Sequence, residues 1–164
     1  MVMKRAILAV TGLCGVAVLV WAADKAYPNV KLPKYRDWTH VKSMANFDKA
    51  HPLYDPFGGI HHVYANAKAL PSTEQDKFPY PDGSALVFVL YNIKNADGAY
   101  VAADKKITAV MLKDAGKHKD TGGWAFQAWD AGGKALVTDG GTGCFACHKD
   151  GAGKTDYVFS RFER

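Results

Sequence analysis

The sequence predicts an α+β fold centred on an antiparallel sheet. Residues 60–65 alternate in side-chain character, and residues 84–93 are rich in Val, Leu and aromatic residues over strand length. The turn residues Pro81-Asp82-Gly83 precede that second run, and Asp97-Gly98 follow it, so chain reversals bound the strands. A stretch with helical spacing ahead of these strands supplies the α part.

In chain order, residues 27–34 read as an extended arm, because Pro28 and Pro33 disfavour helix at the residues before them. Residues 35–47 fit a helix with Trp38, Val41 and Ala45 turned inward. Residues 60–65 and 84–93 then read as strands, and residues 99–103 follow the Asp97-Gly98 turn. Residues 107–113 allow a short helix or a strand, since Val110 and Leu112 alternate as well as they repeat helically. Gly122 and Gly123 introduce residues 124–130, and a last apolar stretch covers residues 157–162. No repeat, heptad run or low-complexity segment interrupts this order. A chain of 164 residues, 48% hydrophobic and 12% aromatic, closes one core, so a single domain is expected.

Residues 1–22 are of another kind. Lys4 and Arg5 precede an apolar run over residues 6–21, followed by Ala22 and Ala23, which is the order of a secretory signal peptide. Such a signal would export the chain to the periplasm, and cleavage after Ala22 would leave a domain over residues 23–164. An uncleaved anchor is the alternative, but a span needs about 20 apolar residues. This run is shorter and contains Thr11, Gly12 and Gly15. Cys14 follows Leu13, where lipid attachment wants a small residue, so it reads as an apolar filler. The mature chain then holds two cysteines and no disulfide framework. Removing the leader takes two of 21 basic residues and no acidic one, leaving 19 against 16, a net +3. Lysines 105, 106, 113, 117 and 119 read as a solvated face, and no nucleic-acid partner is expected.

Chemistry enters at CFACH, residues 144–148. Cys144 and Cys147 stand three residues apart with His148 directly after, the pattern of covalent c-type haem attachment with a histidine ligand to the iron. At average composition the pattern arises by chance in roughly one chain in a thousand of this length. A structural zinc site needs four ligands, and no second cysteine pair remains to supply them. A thioredoxin-like pair follows an early strand, whereas this one comes near the C-terminus after the glycine-rich stretch 132–143. The other axial position of the iron decides function, and Met44, Met111, His40, His51, His61, His62 and His118 are all candidates to fill it. Methionine would make an electron-transfer centre of raised potential; an empty position would bind small molecules.

Five segments then carry a resemblance: YRDW at 35–38, PDGSALV at 81–87, VMLKD at 110–114, TGGWAFQAW at 121–129 and CFACHKDGAGKTDYVFSRF at 144–162. Together they resemble the cytochrome P-460 family, including its cytochrome c′-beta branch. The resemblance implies a twisted antiparallel sheet with a few helices, not a four-helix bundle. It also implies a common homodimer, haem near the C-terminal motif, and a strand at 107–113. Hydroxylamine-oxidising members carry a lysine after the PDG turn, in a segment resembling PDGTVLVKE, that becomes cross-linked to the porphyrin. Here the segment reads PDGSALVFV: Phe88 stands at the lysine and Val89 at the acidic residue after it. Ala109 stands where the distal carboxylate of such enzymes would be.

A phenyl ring cannot ligate iron or donate a hydrogen bond, and it excludes water. Phe88 therefore points to a five-coordinate ferrous haem that selects uncharged NO and CO over O₂. Phe57 is a candidate second distal ring, and Arg161 a candidate partner for a propionate or for the proximal side. Trp124, Phe126 and Trp129 are expected in the haem wall and core. The expectation is a periplasmic cytochrome c′-beta with one covalent haem c, serving NO carriage, sequestration or detoxification, with a periplasmic redox partner. Two other activities stand beside it. One is a hydroxylamine or NO oxidoreductase that uses Lys68 or Lys94 for the cross-link. The other is an electron-transfer cytochrome with methionine ligation.

Overall fold

Five strands follow one another in chain order across one antiparallel sheet. The structure, a computed structural model, describes residues 30–162. The leader expected over residues 1–22, Cys14 within it, and residues 27–29 of the arm lie outside the described residues. The strands are β1 (Thr39–Asn46), β2 (Gly59–Ala65), β3 (Ala85–Ala96), β4 (Ala99–Lys113) and β5 (Trp124–Asp130). Among the described residues three α-helices accompany the strands: α1 (Tyr54–Phe57), α2 (Leu70–Gln75) and α3 (Thr142–Ala152). The fold is α+β, as expected, and no helical bundle.

Alternation builds the sheet. In β2, Gly59, His61, Val63 and Ala65 are buried, and Ile60, His62 and Tyr64 between them are half-buried. Directly paired residues share a face, so the register carries this pattern across the sheet. One face gathers Val41, Val63, Leu86, Trp124 and Phe126 into the larger core, on which α3 and the segment after it pack. The other face gathers Tyr35, Val87, Val89 and Val110, covered by Val30 of the N-terminal arm and by Trp38 of the turn ahead of β1. Trp124, Leu90, Val41, Val87 and Val89 are almost fully buried. Each such side chain contributes about 1.5–3 kcal/mol to the folded state.

The turns form where they were expected. Ser84 N–H donates to the Pro81 carbonyl at 3.0 Å, and Gly83 N–H to the Lys113 carbonyl at 2.8 Å, which ties the PDG turn to the end of β4. Asp97 and Gly98 have φ of 51° and 85°, the left-handed pair that a two-residue hairpin between right-twisted strands requires.

Three expectations change. The helix over residues 35–47 is a short turn, Trp38 N–H to Tyr35 carbonyl at 2.9 Å, followed by strand β1. The spacing of Trp38, Val41 and Ala45 is coincidental: Val41 joins the larger core, Trp38 packs on the opposite face, and Ala45 is exposed while Asn46 is buried. Pairing with β2, around a bulge between His40 and Lys42, satisfies the backbone in place of helical bonds. Segments 99–103 and 107–113 are not separate; they are one fifteen-residue strand, β4. Lys113 leaves the solvated face assigned to it, since only 5% of it is exposed.

Candidate functional site

The cysteine motif folds as helix. Within α3, Cys144, Cys147 and His148 stand at i, i+3 and i+4 and so share one helical face. Asp139 anchors the start of this helix: its carboxylate accepts from Gly141 N–H at 2.9 Å, Gly143 N–H at 2.6 Å and the Thr142 hydroxyl at 3.0 Å. These bonds satisfy donors that a helix N-terminus leaves open, and the Gly143 bond foremost holds the Asp139 carboxyl below its usual pKa. Gly141 is required as glycine. Its φ is 84°, and a Cβ there would lie 3.1 Å from Cβ of Phe126. Both cysteines carry free thiols, Cys144 half-buried and Cys147 exposed. Burial, with the Asp139 charge behind it, pushes the Cys144 thiol pKa up and keeps it protonated.

His148 is oriented by backbone. Its Nδ1 lies 2.7 Å from the Tyr157 carbonyl. A carbonyl only accepts, so Nδ1 carries the proton and Nε2 keeps its lone pair for a metal. The ring packs between Phe126 and Phe159, with centroids 5.1 and 4.9 Å away. Burial outweighs the Tyr157 bond and lowers the His148 pKa, which favours the neutral form that metals bind.

Opposite this helix the sheet presents an open apolar row. Phe88 pairs with Ala109, and Ala109 with Ala128, so one row crosses β3, β4 and β5 on the face that holds Phe126. All three are half-buried, whereas Val87, Val89, Thr108 and Val110 on the reverse face are buried. Two small alanines beside a phenyl ring leave a shallow apolar strip on the sheet face that carries Phe126, the ring against which His148 packs. The donor set, its fixed tautomer and this strip fit a flat apolar cofactor such as haem.

Phe57 and Phe88, singled out separately in the sequence, are in contact: their rings meet edge-on at 5.7 Å. Phe57 reaches across from α1 and is 37% exposed. His61 stands level with six other candidates in the sequence, yet it is the polar residue at this end of the row. It stacks on Phe88 at 4.6 Å between centroids, is 8% exposed, and its Nδ1 is buried without a hydrogen-bond partner. Burial, then the positive charges of His62 and Lys42, lower its pKa to about 4. Its place in the alternation of β2 was visible; its lack of a polar partner was not.

The other candidates fall elsewhere. Met111 shares the face but pairs with Phe126, the ring against His148, and Met44 is 39% exposed on edge strand β1. His40 and His62 are joined through the Ser43 hydroxyl, at 2.8 and 2.7 Å, and His62 alternates onto the opposite face with Tyr64. His51 Nδ1 accepts from Asn46 and from the Leu53 N–H, and His118 precedes a 3₁₀ turn at Lys119–Thr121. Arg161 pairs with Asp76 at 3.3 Å, both side chains more than half exposed. Trp124 is buried in the larger core, while Trp129 packs on the reverse face. Lys68 donates to the Asp82 carbonyl at 3.3 Å, and Lys94 lies further along β3, paired with Val101.

Among comparisons with known proteins, a family model described as Cytochrome P460 matches residues 32–160. No curated protein matches the chain.

Proposed function

The chain belongs to the cytochrome P460 family of haem-binding cytochromes, and from that premise we propose that it is a c-type cytochrome of the c′-beta kind that binds NO and CO. Cys144 and Cys147 would hold one haem c through thioethers, and His148 would ligate its iron. Bound there, the haem supplies a metal centre at which an uncharged diatomic gas can attach.

Phe88 carries the reading. It stands half-buried in the open row, with Phe57 edge-on against it and Ala109 directly across the strand pair. These residues offer no amine for a cross-link and no carboxylate for proton transfer. They keep water and charged ligands away, because an ion or a strongly hydrated group would lose its solvation without a partner. A hydroxylamine- or NO-oxidising enzyme would need an amine at this place. Lys68 is engaged with Asp82, and Lys94 is spaced along β3 from Phe88.

The leader expected over residues 1–22 supports a periplasmic site of action, with no membrane after cleavage. The family resemblance supports a homodimer. Carriage, sequestration or detoxification of NO is the role this pocket suits, with a periplasmic electron donor to keep the iron ferrous. No nucleic-acid partner is called for.

One ultraviolet-visible spectrum tests the reading. The ferrous protein without added ligand should be five-coordinate and high-spin, and CO should convert it to a six-coordinate form. A six-coordinate low-spin ferrous spectrum without ligand would overturn it. So would a haem-peptide mass that shows a third covalent link.

A further inference from the structure

Lys113 is the last residue of β4, and its ammonium is turned into the protein. Nζ donates to both carboxylate oxygens of Asp156 at 2.8 Å and to the Gly122 carbonyl at 3.1 Å, and it lies 4.9 Å from the centre of the Trp124 ring. The pair is buried, with side chains 5% and 10% exposed. Asp156 is held from two further directions. Its carboxylate accepts the Tyr80 N–H at 2.8 Å, and its carbonyl accepts the Trp124 indole N–H at 2.9 Å.

This investment has an unusual product. Asp156 and Tyr157 have φ of 50° and 68°, two successive residues with side chains in the left-handed region. Such a bend persists only where its surroundings impose it. The bend aims the Tyr157 carbonyl at Nδ1 of His148. The Tyr157 ring is braced as well, packing on Phe145 at 4.9 Å and against Gly122, where a Cβ would collide with it.

We propose that the buried Lys113–Asp156 pair is a positioning device that holds the Tyr157 carbonyl against His148 and thereby sets the donor strength of the axial imidazole. The proposal rests on the haem reading above, with His148 as iron ligand. A short Nδ1–H···O bond draws the proton toward the carbonyl and leaves Nε2 more electron-rich, which strengthens the iron–histidine bond and favours ferric iron. Neither Lys113 nor Asp156 touches His148; both act through the bend.

The test is made on the intact holoprotein. Lys113→Met combined with Asp156→Asn removes both charges together, so the local net charge is unchanged, and Asn keeps an oxygen for the Tyr80 N–H. The iron–histidine stretching band of the ferrous form should move to lower frequency in resonance Raman spectra, and the reduction potential should rise. Lys113→Arg, which keeps the charge, should restore both toward wild type. Should the double variant fail to fold, Trp124→Phe removes the indole bond to Asp156 and trims the ring that faces the Lys113 ammonium, leaving the ion pair itself in place, and should move both readouts the same way by less. An unshifted band and potential in folded variants would overturn the proposal. A wild-type ferrous protein that is already six-coordinate would defeat the open-pocket reading instead, and the potentials of the variants would still decide the role of the pair.

Discussion

The His61 imidazole lies on the face of Phe88, at 4.6 Å between centroids and 35° between ring planes. The two residues do not sit directly opposite each other: Val63 faces Phe88 and Leu90 faces His61 in the register of β2 and β3. The contact is therefore diagonal, offset by two residues along the strand, which aromatic rings are long enough to span. The distal end of the row is thus apolar in Phe57 and Phe88 and carries one neutral imidazole beside them.

Acid should destabilise the protein through His61. Its pKa falls from an ordinary 6.5 to about 4 in the fold, burial being the main cause. Between those values the unfolded chain binds a proton that the folded chain refuses. Stability is complete above pH 6.5 and declines as pH drops toward 4, by on the order of 3 kcal/mol from this residue. Urea unfolding at pH 7.5 and pH 4.5 measures it. His61→Leu should lose about 2.5 kcal/mol less than wild type over that interval, since the other groups cancel in the comparison. Equal losses would show that His61 does not titrate this way.

Removing the Phe88 ring should open the ligand side. Phe88 is half-buried and packs on the larger core, so Phe88→Ala should cost about 2–3 kcal/mol, below the full range for buried phenylalanine. With the ring gone, CO should recombine faster after flash photolysis, by roughly tenfold if the ring contributes 1.4 kcal/mol to the barrier. An unchanged rate would place Phe88 away from the ligand.

Asp139 should matter to stability and not to colour. Its carboxylate makes three bonds to the first turn of α3 and the glycine ahead of it. Asp139→Ala should therefore cost about 1–2 kcal/mol in unfolding free energy, the usual range for losing a helix-terminal acceptor. The ferric and ferrous spectra should stay as in wild type, because His148 is oriented from Tyr157, at the other end of the helix.

Much of this was legible in the sequence, for identifiable reasons. Strands β2, β3 and β5 announce themselves because one face is buried and the other is not, or because both are. The two turns carry residues that tolerate left-handed backbone. CFACH reads as a c-type attachment motif, and the structure sets its two thiols and its imidazole on one face of α3, the arrangement on which the proposed attachment rests. What stayed hidden depends on contacts distant in sequence. Strand β1 has helical spacing, and only its pairing with β2 settles it. Lys113 reads as one more surface lysine until Asp156, far along the chain, closes over it. His61 differs from His62 by which face it alternates onto, and alternation alone does not say which face bears α3.

The two cysteines should prove unequal. Cys147 is exposed, whereas Cys144 is half-buried and packs on the larger core. Cys147→Ala should leave the fold intact and reduce the covalent link to one thioether. The α-band of the pyridine haemochrome should then move to longer wavelength, because one vinyl group stays conjugated with the porphyrin. Cys144→Ala should produce the same shift together with a lower yield of folded holoprotein, since a half-buried side chain leaves a void against the core. The double variant should release its haem to acidified acetone while wild type retains it. Haem extracted from wild type by that treatment would show that the thiols are not the attachment points, and the reading of α3 as the attachment helix would fall with it.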